Sequence, residues 1–301
     1  MTNLAPLLLG SAAVNGPAVS VIMPTYRRAQ QIGETIRSIL DGSWTDFEML
    51  ICDDGDGTDG TREAVKAAAA GDPRVKYQRN ASRRGMPQNL NAGIERSAGL
   101  YIAVCHDHDL YAPDFLSVML GTLMSHPTAL YVHCAITVVD QEGNTTSEHI
   151  ATWPPLTRGR DWLRFMLRSL HSPVCALTVV RREAHEKYGL YDQTYGFVAD
   201  VELWMRLAAQ GDVAYVARPL IWARQREAGH WANGQGGRHM KLVAAAQRRY
   251  VNQAAEGLSA AAFRLCIEAN LIRSLLGNVA HRIHHAYRTA CTPGGLSEVT
   301  R

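Results

Sequence analysis

Closely spaced cysteines are missing from this sequence. Cys52, Cys105, Cys134, Cys175, Cys266 and Cys291 lie far apart with no CxxC pair. Most fall in apolar, strand-like runs and read as reduced core residues of an intracellular protein. No segment has the length of a membrane span. The apolar stretch 4–14 lacks a basic leader and is broken by Pro6 and Gly10, a poor signal peptide. No HExxH spacing occurs, which removes the zinc-hydrolase class that depends on it. A large excess of either charge is absent too: the net charge is +3, too small to argue for nucleic acid. These absences leave a cytoplasmic enzyme as the expectation.

What is present is an ordinary globular composition, 47% apolar and 20% charged over 301 residues, enough to bury a full core. Residues 19–23 form a β-branched run closed by Pro24, the pattern of a buried first strand. Ile32, Ile36, Ile39 and Leu40 recur at helical spacing until Asp41-Gly42. The runs 47–52, 74–78, 100–105, 129–139 and 174–180 predict further strands, and the stretches from Thr61, toward Gly99, after Pro113 and over 200–210 predict helices between them. Alternation of this kind predicts an α/β fold with a parallel-rich sheet, whose ligands sit beyond the carboxyl ends of the strands. From about Gly236 the texture turns to Ala, Arg and Leu. Leu265, Ala269, Ile272, Leu276 and Val279 keep one helical face, which predicts a helical appendage.

Two acidic loops fall at strand ends. Asp53-Asp54-Gly55-Asp56-Gly57-Thr58-Asp59-Gly60-Thr61 offers carboxylates to a nucleobase or ribose and glycines for close backbone approach; it would equally serve as a polar turn with a helix cap. His106-Asp107-His108-Asp109 places two carboxylates and two imidazoles within four residues, a set able to hold a divalent metal and through it a diphosphate. Were the segment extended, both carboxylates would face one side and both imidazoles the other. The paired arginines, Arg83/Arg84 and Arg181/Arg182 among them, suit an anionic small molecule as well as a solvated surface.

In order, the chain carries Pro24-Thr25-Tyr26-Arg27 after a strand, the 53–61 loop, Asn80, Gly85, Asn91-Ala92-Gly93-Ile94, Ala98-Gly99-Leu100-Tyr101-Ile102, Asp107-His108-Asp109, Gly189-Leu190-Tyr191-Asp192 and Asp200-Val201-Glu202-Leu203-Trp204-Met205-Arg206. Over roughly residues 18–230 this resembles a family 2 glycosyltransferase of GT-A fold. The resemblance implies a Rossmann-like sheet flanked by helices and transfer of a sugar from a nucleoside-diphosphate donor, UDP first, to a small-molecule or glycan acceptor. It implies that Pro24, Thr25, Tyr26, Arg27, Asp53, Asp54, Arg84 and Asn91 lie about the nucleotide sugar. Asp107, Asp109 and His108 would meet Mn2+ or Mg2+ and the diphosphate, with His230 as a further metal or phosphate contact. Asp200 would be the general base of an inverting displacement, its alternative being a helix N-cap. Glu202, about 200° around the helix, is left as an acceptor contact or an exposed charge.

The expected division is a catalytic domain at 18–230, a helical C-terminal extension at 236–291, and flexible ends at 1–17 and 292–301. Gly234, Gly236 and Gly237 are expected in a mobile lid. The basic tail could touch lipid head groups weakly, and oligomers are open. Three departures from the family pattern stand out: Arg27 replaces the usual Asn, Ala199 replaces the usual Glu before the base, and histidines enter the metal motif. They keep two rivals in view, a catalytically silent sugar-nucleotide binder and a nucleotidyltransferase. The latter would need an early glycine-rich triphosphate loop that Pro24-Thr25-Tyr26-Arg27 does not supply.

Overall fold

The computed structural model describes residues 16–168, 170, 172, 174, 177–225 and 235–291, with 235–236 and 277–291 described by their backbone alone. The first half alternates strictly: β1 (Val19–Thr25), α1 (Ile32–Leu40), β2 (Phe47–Asp53), α2 (Thr61–Ala69), β3 (Val75–Arg79), α3 (Met86–Arg96) and β4 (Tyr101–Val104). Then come β5 (Leu110–Tyr111), α4 (Phe115–Ser125), β6 (Ala129–Val139), β7 (Thr145–His149), β8 (Leu156–Thr157), α5 (Gly159–Met166), β9 (Thr178–Arg181) and α6 (Arg182–Tyr188). A 3-10 turn at Gln193–Val198 leads into α7 (Ala199–Ala208), β10 (Asp212–Arg224), α8 (Gln235–Ala254) and α9 (Gly257–Cys291).

The sheet order is β3-β2-β1-β4-β9-β6-β10-β5, with β7 on β6 and β8 on β10. The expected parallel sheet is found in β3-β2-β1-β4. Beyond β4 the sheet is mixed, because β9 enters antiparallel to both β4 and β6. Pro24 does not close β1, which runs on to Thr25 against Asp53. Its missing N–H costs no ladder bond there, since the β4 pairing ends at Ile22–Val104. The strand expected at 174–180 is shorter, Thr178–Arg181.

Inner strands read as continuous apolar runs because both faces are covered. Ile22, Leu50, Cys52, Ile102 and Val104 meet α3, α5, α7 and α8 on one side. Val21, Met23, Met49, Ile51 and Ala103 meet α1, α2 and α4 on the other. Gly93 lets α3 approach the sheet: a Cβ there would stand 2.7 Å from both Cys52 Sγ and Ile22 Cγ2.

α8 shares this core. Val243, Ala244, Ala246, Tyr250 and Val251 belong to the cluster that holds Trp162 and Trp204. Of the glycines expected in a lid, Gly236 and Gly237 lie in the first turn of α8, and Gly234 lies outside the described residues. Among the described residues no helix is long and apolar enough to cross a membrane.

Candidate active site

Two antiparallel steps, β4 to β9 and β9 to β6, bring β6 and its parallel neighbour β10 into the direction of β1, β2 and β4. Thr25, Asp53, Val104 and Arg224 therefore end their strands at one edge, and the loops that follow them form the candidate site.

Asp53 is fully buried. It accepts from the Gly55 amide at 2.8 Å and from the Tyr77 hydroxyl at 2.5 Å. Burial, and then the Asp53 carboxylate, push the Tyr77 hydroxyl up to about 12. Asp54 accepts from Asn80 Nδ2 and from the amides of Arg84 and Gly85, at 2.7 to 2.9 Å. Asn80 also donates to Asn89 Oδ1, and Asn89 to the Cys52 carbonyl. The acidic loop is thus a brace that folds residues 80–85 back over the strand ends. Gly85 enters that fold at φ +82, where a side chain would be strained. Arg84 is held there by its main chain and leaves its side chain on the surface.

Tyr26 is 38% exposed. Arg83 lies over its ring at 4.3 Å and Arg27 at 5.5 Å, so cations already flank the aromatic face expected to meet a base. Arg27 sits at φ +55, a conformation that Asn tolerates better than other side-chain-bearing residues. Its pairing with Asp56 at 2.7 Å is solvent-exposed on both sides and so adds little stability. Thr25 Oγ1 is buried with no partner at the end of β1.

The His106–Asp109 segment does not stay extended; it turns at Asp107-His108. The two imidazoles stack in parallel planes at 5.4 Å. His106 Nδ1 lies 3.1 Å from Asp109 Oδ2, and His108 Nε2 lies 3.8 Å from Asp109 Oδ1. Ligand atoms of His106, His108 and Asp109 fall within 4.8 Å of one another. Asp107 stands behind them, its Oδ1 2.9 Å from His108 Nδ1. That contact leaves His108 Nε2 toward the cluster, the arrangement in which a carboxylate orients a metal-binding imidazole.

Burial would raise the Asp109 carboxyl. The His106 hydrogen bond, the charge of both imidazoles and the Arg224 amide outweigh it and hold Asp109 below the usual carboxylate range. The Arg224 amide donates to Asp109 Oδ1 at 3.0 Å, and its guanidinium donates to the His108 carbonyl and to Glu34. His106 belongs to the four-residue metal motif but not to the ligands that the family resemblance implies, and Arg224 stands in neither. His106 carried a usable signal, its place at the carboxyl end of β4; Arg224 carried none beyond ending a strand.

Asn91 clamps the main chain of Tyr191, donating to its carbonyl at 2.8 Å and accepting from its amide at 2.9 Å. A cavity of about 460 Å³ opens along this contact, lined by Arg84, Gln88, Asn91, Glu95, Asp192 and Gln193 among others. Asp200 is the second residue of α7, not its N-cap, which is Val198. Asp200 is half-buried and accepts from the Val201 amide at 2.8 Å. Its charge reaches the buried Tyr191 hydroxyl. Glu202 is neither an acceptor contact nor exposed. It is fully buried, pairs with Arg206 at 2.8 Å and accepts from the Tyr250 hydroxyl. His230 lies outside the described residues.

With this geometry in hand, comparison with known proteins decides the family. The model of the family described as glycosyl transferase family 2 matches residues 20–189, over half of the chain. The chain belongs to glycosyl transferase family 2. This family 2 glycosyltransferase is 28% identical over 220 residues to EpsE of Bacillus subtilis, covering 69% of this chain and 73% of that one. Two solved structures share its fold. S. aureus TarS 1-349 in complex with UDP-GlcNAc aligns with a TM-score of 0.60 at 17% identity, over 80% of this chain and 72% of that one. The mannosyltransferase PcManGT from Pyrobaculum calidifontis, in complex with GDP-Man and Mn2+, aligns with a TM-score of 0.57 at 20% identity, over 96% and 87%. The sheet and its flanking helices are those of a GT-A glycosyltransferase. Within this family 2 enzyme the unusual Ala199 is fully buried at the start of α7, where a Glu would need a partner.

Proposed function

We propose that this glycosyltransferase binds a nucleoside-diphosphate sugar, UDP-linked first and dTDP- or GDP-linked next, and transfers the sugar to a hydroxyl or amine with inversion. The observation that carries this reading is the His106–His108–Asp109 cluster at the carboxyl edge of a GT-A sheet, one loop away from the Asp53–Asp54 brace. Two fold neighbours support it, one solved with UDP-GlcNAc and one with GDP-Man and Mn2+.

The donor set fits a divalent cation: two imidazole nitrogens and one carboxylate oxygen, with Asp107 orienting one ring. A cation held there would offset the charge that develops on the diphosphate leaving group. Thr25, Tyr26 and the 80–85 segment, with Arg84, form the wall against which the nucleoside lies, and Asp53 and Asp54 keep that wall in place. Asp200 takes the acceptor proton as the acceptor oxygen or nitrogen attacks the anomeric carbon from the side opposite the diphosphate; one base and one displacement give inversion. The acceptor is a small molecule or a glycan.

Isothermal titration of UDP with and without Mn2+ tests the reading. Binding that tightens with Mn2+ and weakens on Asp109→Ala supports it. Affinity indifferent to both changes overturns it.

A further inference from the structure

The C-terminal helix α9 leaves a hydrophobic seam uncovered. Its inner face is used: Ala260 and Ile267 are buried, and Phe263 and Leu271 pack on the shared core beside α8. Its outer face is not. Leu258 is 91% exposed, Leu265 72%, Ile272 57% and Leu276 65%. With Ala262 and Ala269, both exposed, these residues follow one another at alternating intervals of four and three. The sequence continues the pattern at Val279 and Ile283 along the same helix.

That spacing is the a/d register of a coiled coil, with Leu258, Leu265 and Ile272 at d and Ala262, Ala269 and Leu276 at a. A helix lying on a membrane presents a broader apolar arc. Here the exposed seam is two positions wide, and charges flank its middle, with Glu268 on one side and Arg273 on the other. Their spacing matters. Glu268 at g and Arg273 at the following e are five residues apart, the offset at which parallel, in-register helices place opposite charges across the seam. Glu268 already accepts from Arg248 at 2.7 and 2.9 Å, yet a carboxylate has further lone pairs for a second guanidinium. The alanines at a allow close approach of two backbones.

We infer that α9 is a self-association helix: two copies of this chain pair through a parallel, in-register coiled coil along the Leu258–Leu276 seam, and Glu268 of each meets Arg273 of the other. The seam is self-complementary, so a two-fold axis parallel to the helix satisfies both copies at once.

Light scattering after size exclusion tests this on the full chain. The wild type is expected at twice 33.1 kDa, and the Leu265→Arg/Ile272→Arg variant at 33.1 kDa with an unchanged far-UV circular dichroism spectrum, since both side chains are exposed in the single chain and the variant loses only the stabilisation that pairing adds. Orientation is read from Cys266→Ser/Ala269→Cys, which should form an inter-chain disulfide on mild oxidation, because position a lies opposite itself only in the parallel register. A monomeric wild type at micromolar concentration overturns the inference, as does any higher mass or a dimer that survives the double arginine substitution. Failure of the Ala269→Cys variant to cross-link overturns the parallel register. Monomers that float with phosphatidylcholine–phosphatidylglycerol vesicles, and lose this with the arginines, would assign the seam to a membrane and overturn it too.

Discussion

The Tyr250 hydroxyl in α8 donates to Glu202 Oε1 in α7 at 2.5 Å. Glu202 is fully buried and its other oxygen takes Arg206, which in turn donates to the carbonyls of Tyr188 and Leu190. One buried carboxylate thus joins the C-terminal helices to the segment that carries Asp200 and to the turn before Tyr191. Burial, and then the nearby Glu202 carboxylate, raise the Tyr250 hydroxyl above its ordinary range, so it stays a donor at any working pH.

Tyr250→Phe should therefore lower stability by about 1.5–3 kcal/mol, the usual worth of a hydrogen bond to a charged group. Its melting temperature should drop while UDP affinity stays near wild type. A melting temperature equal to wild type would show that Glu202 finds another donor.

Donor-set chemistry predicts the metal preference. Two imidazoles favour Mn2+ over Mg2+, since Mg2+ prefers oxygen ligands and keeps its water. His106→Ala and Asp109→Ala should each reduce turnover by orders of magnitude. Asp107→Asn should weaken metal affinity roughly 10–100-fold through the lost orientation of His108. Initial-rate assays read the first effect and calorimetric titration of Mn2+ into each variant, with UDP present, the second; equal affinity for Asp107→Asn and wild type would remove the orienting role.

Asp200→Asn keeps the side-chain shape but takes up no proton. Turnover should fall by about 10²–10⁴-fold, with donor binding and melting temperature close to wild type, because Val198 and not Asp200 occupies the N-cap. Full activity in this variant would sink the base assignment and the inverting mechanism with it.

His133 on β6 is buried, and neither ring nitrogen has a partner. Burial lowers its pKa from 6.5 to about 3. Below pH 6.5 the unfolded chain binds a proton that the native chain refuses. Stability is thus whole above 6.5 and is lost as pH falls toward 3, at about 1.4 kcal/mol per pH unit. The melting temperature of His133→Leu should decline less steeply with acid than that of the wild type. Parallel curves from about pH 7 to about pH 4 would contradict this.

Sequence alone determined the elements whose causes are local. Strands buried on both faces read as continuous apolar runs, so β1, β2, β4 and β6 were legible within a residue or two. So were α1, from its spacing and the Asp41-Gly42 boundary, and the start of α2 at Thr61 after the Asp-Gly loop. The ordered family motifs disclosed the GT-A fold and the loops at the strand ends. What each motif residue does there was decided by tertiary structure, because its partner is distant in sequence. Asp54 meets the amides of Arg84 and Gly85 thirty residues on, Asn91 holds Tyr191 100 residues away, and Asp109 receives the Arg224 amide across 115. Glu202 reads as an acceptor contact or an exposed charge because its partner Tyr250 sits in a helix beyond the reach of the motif pattern. The antiparallel entry of β9 was equally hidden: a short buried strand looks the same in either direction, and only its neighbours fix which way it runs.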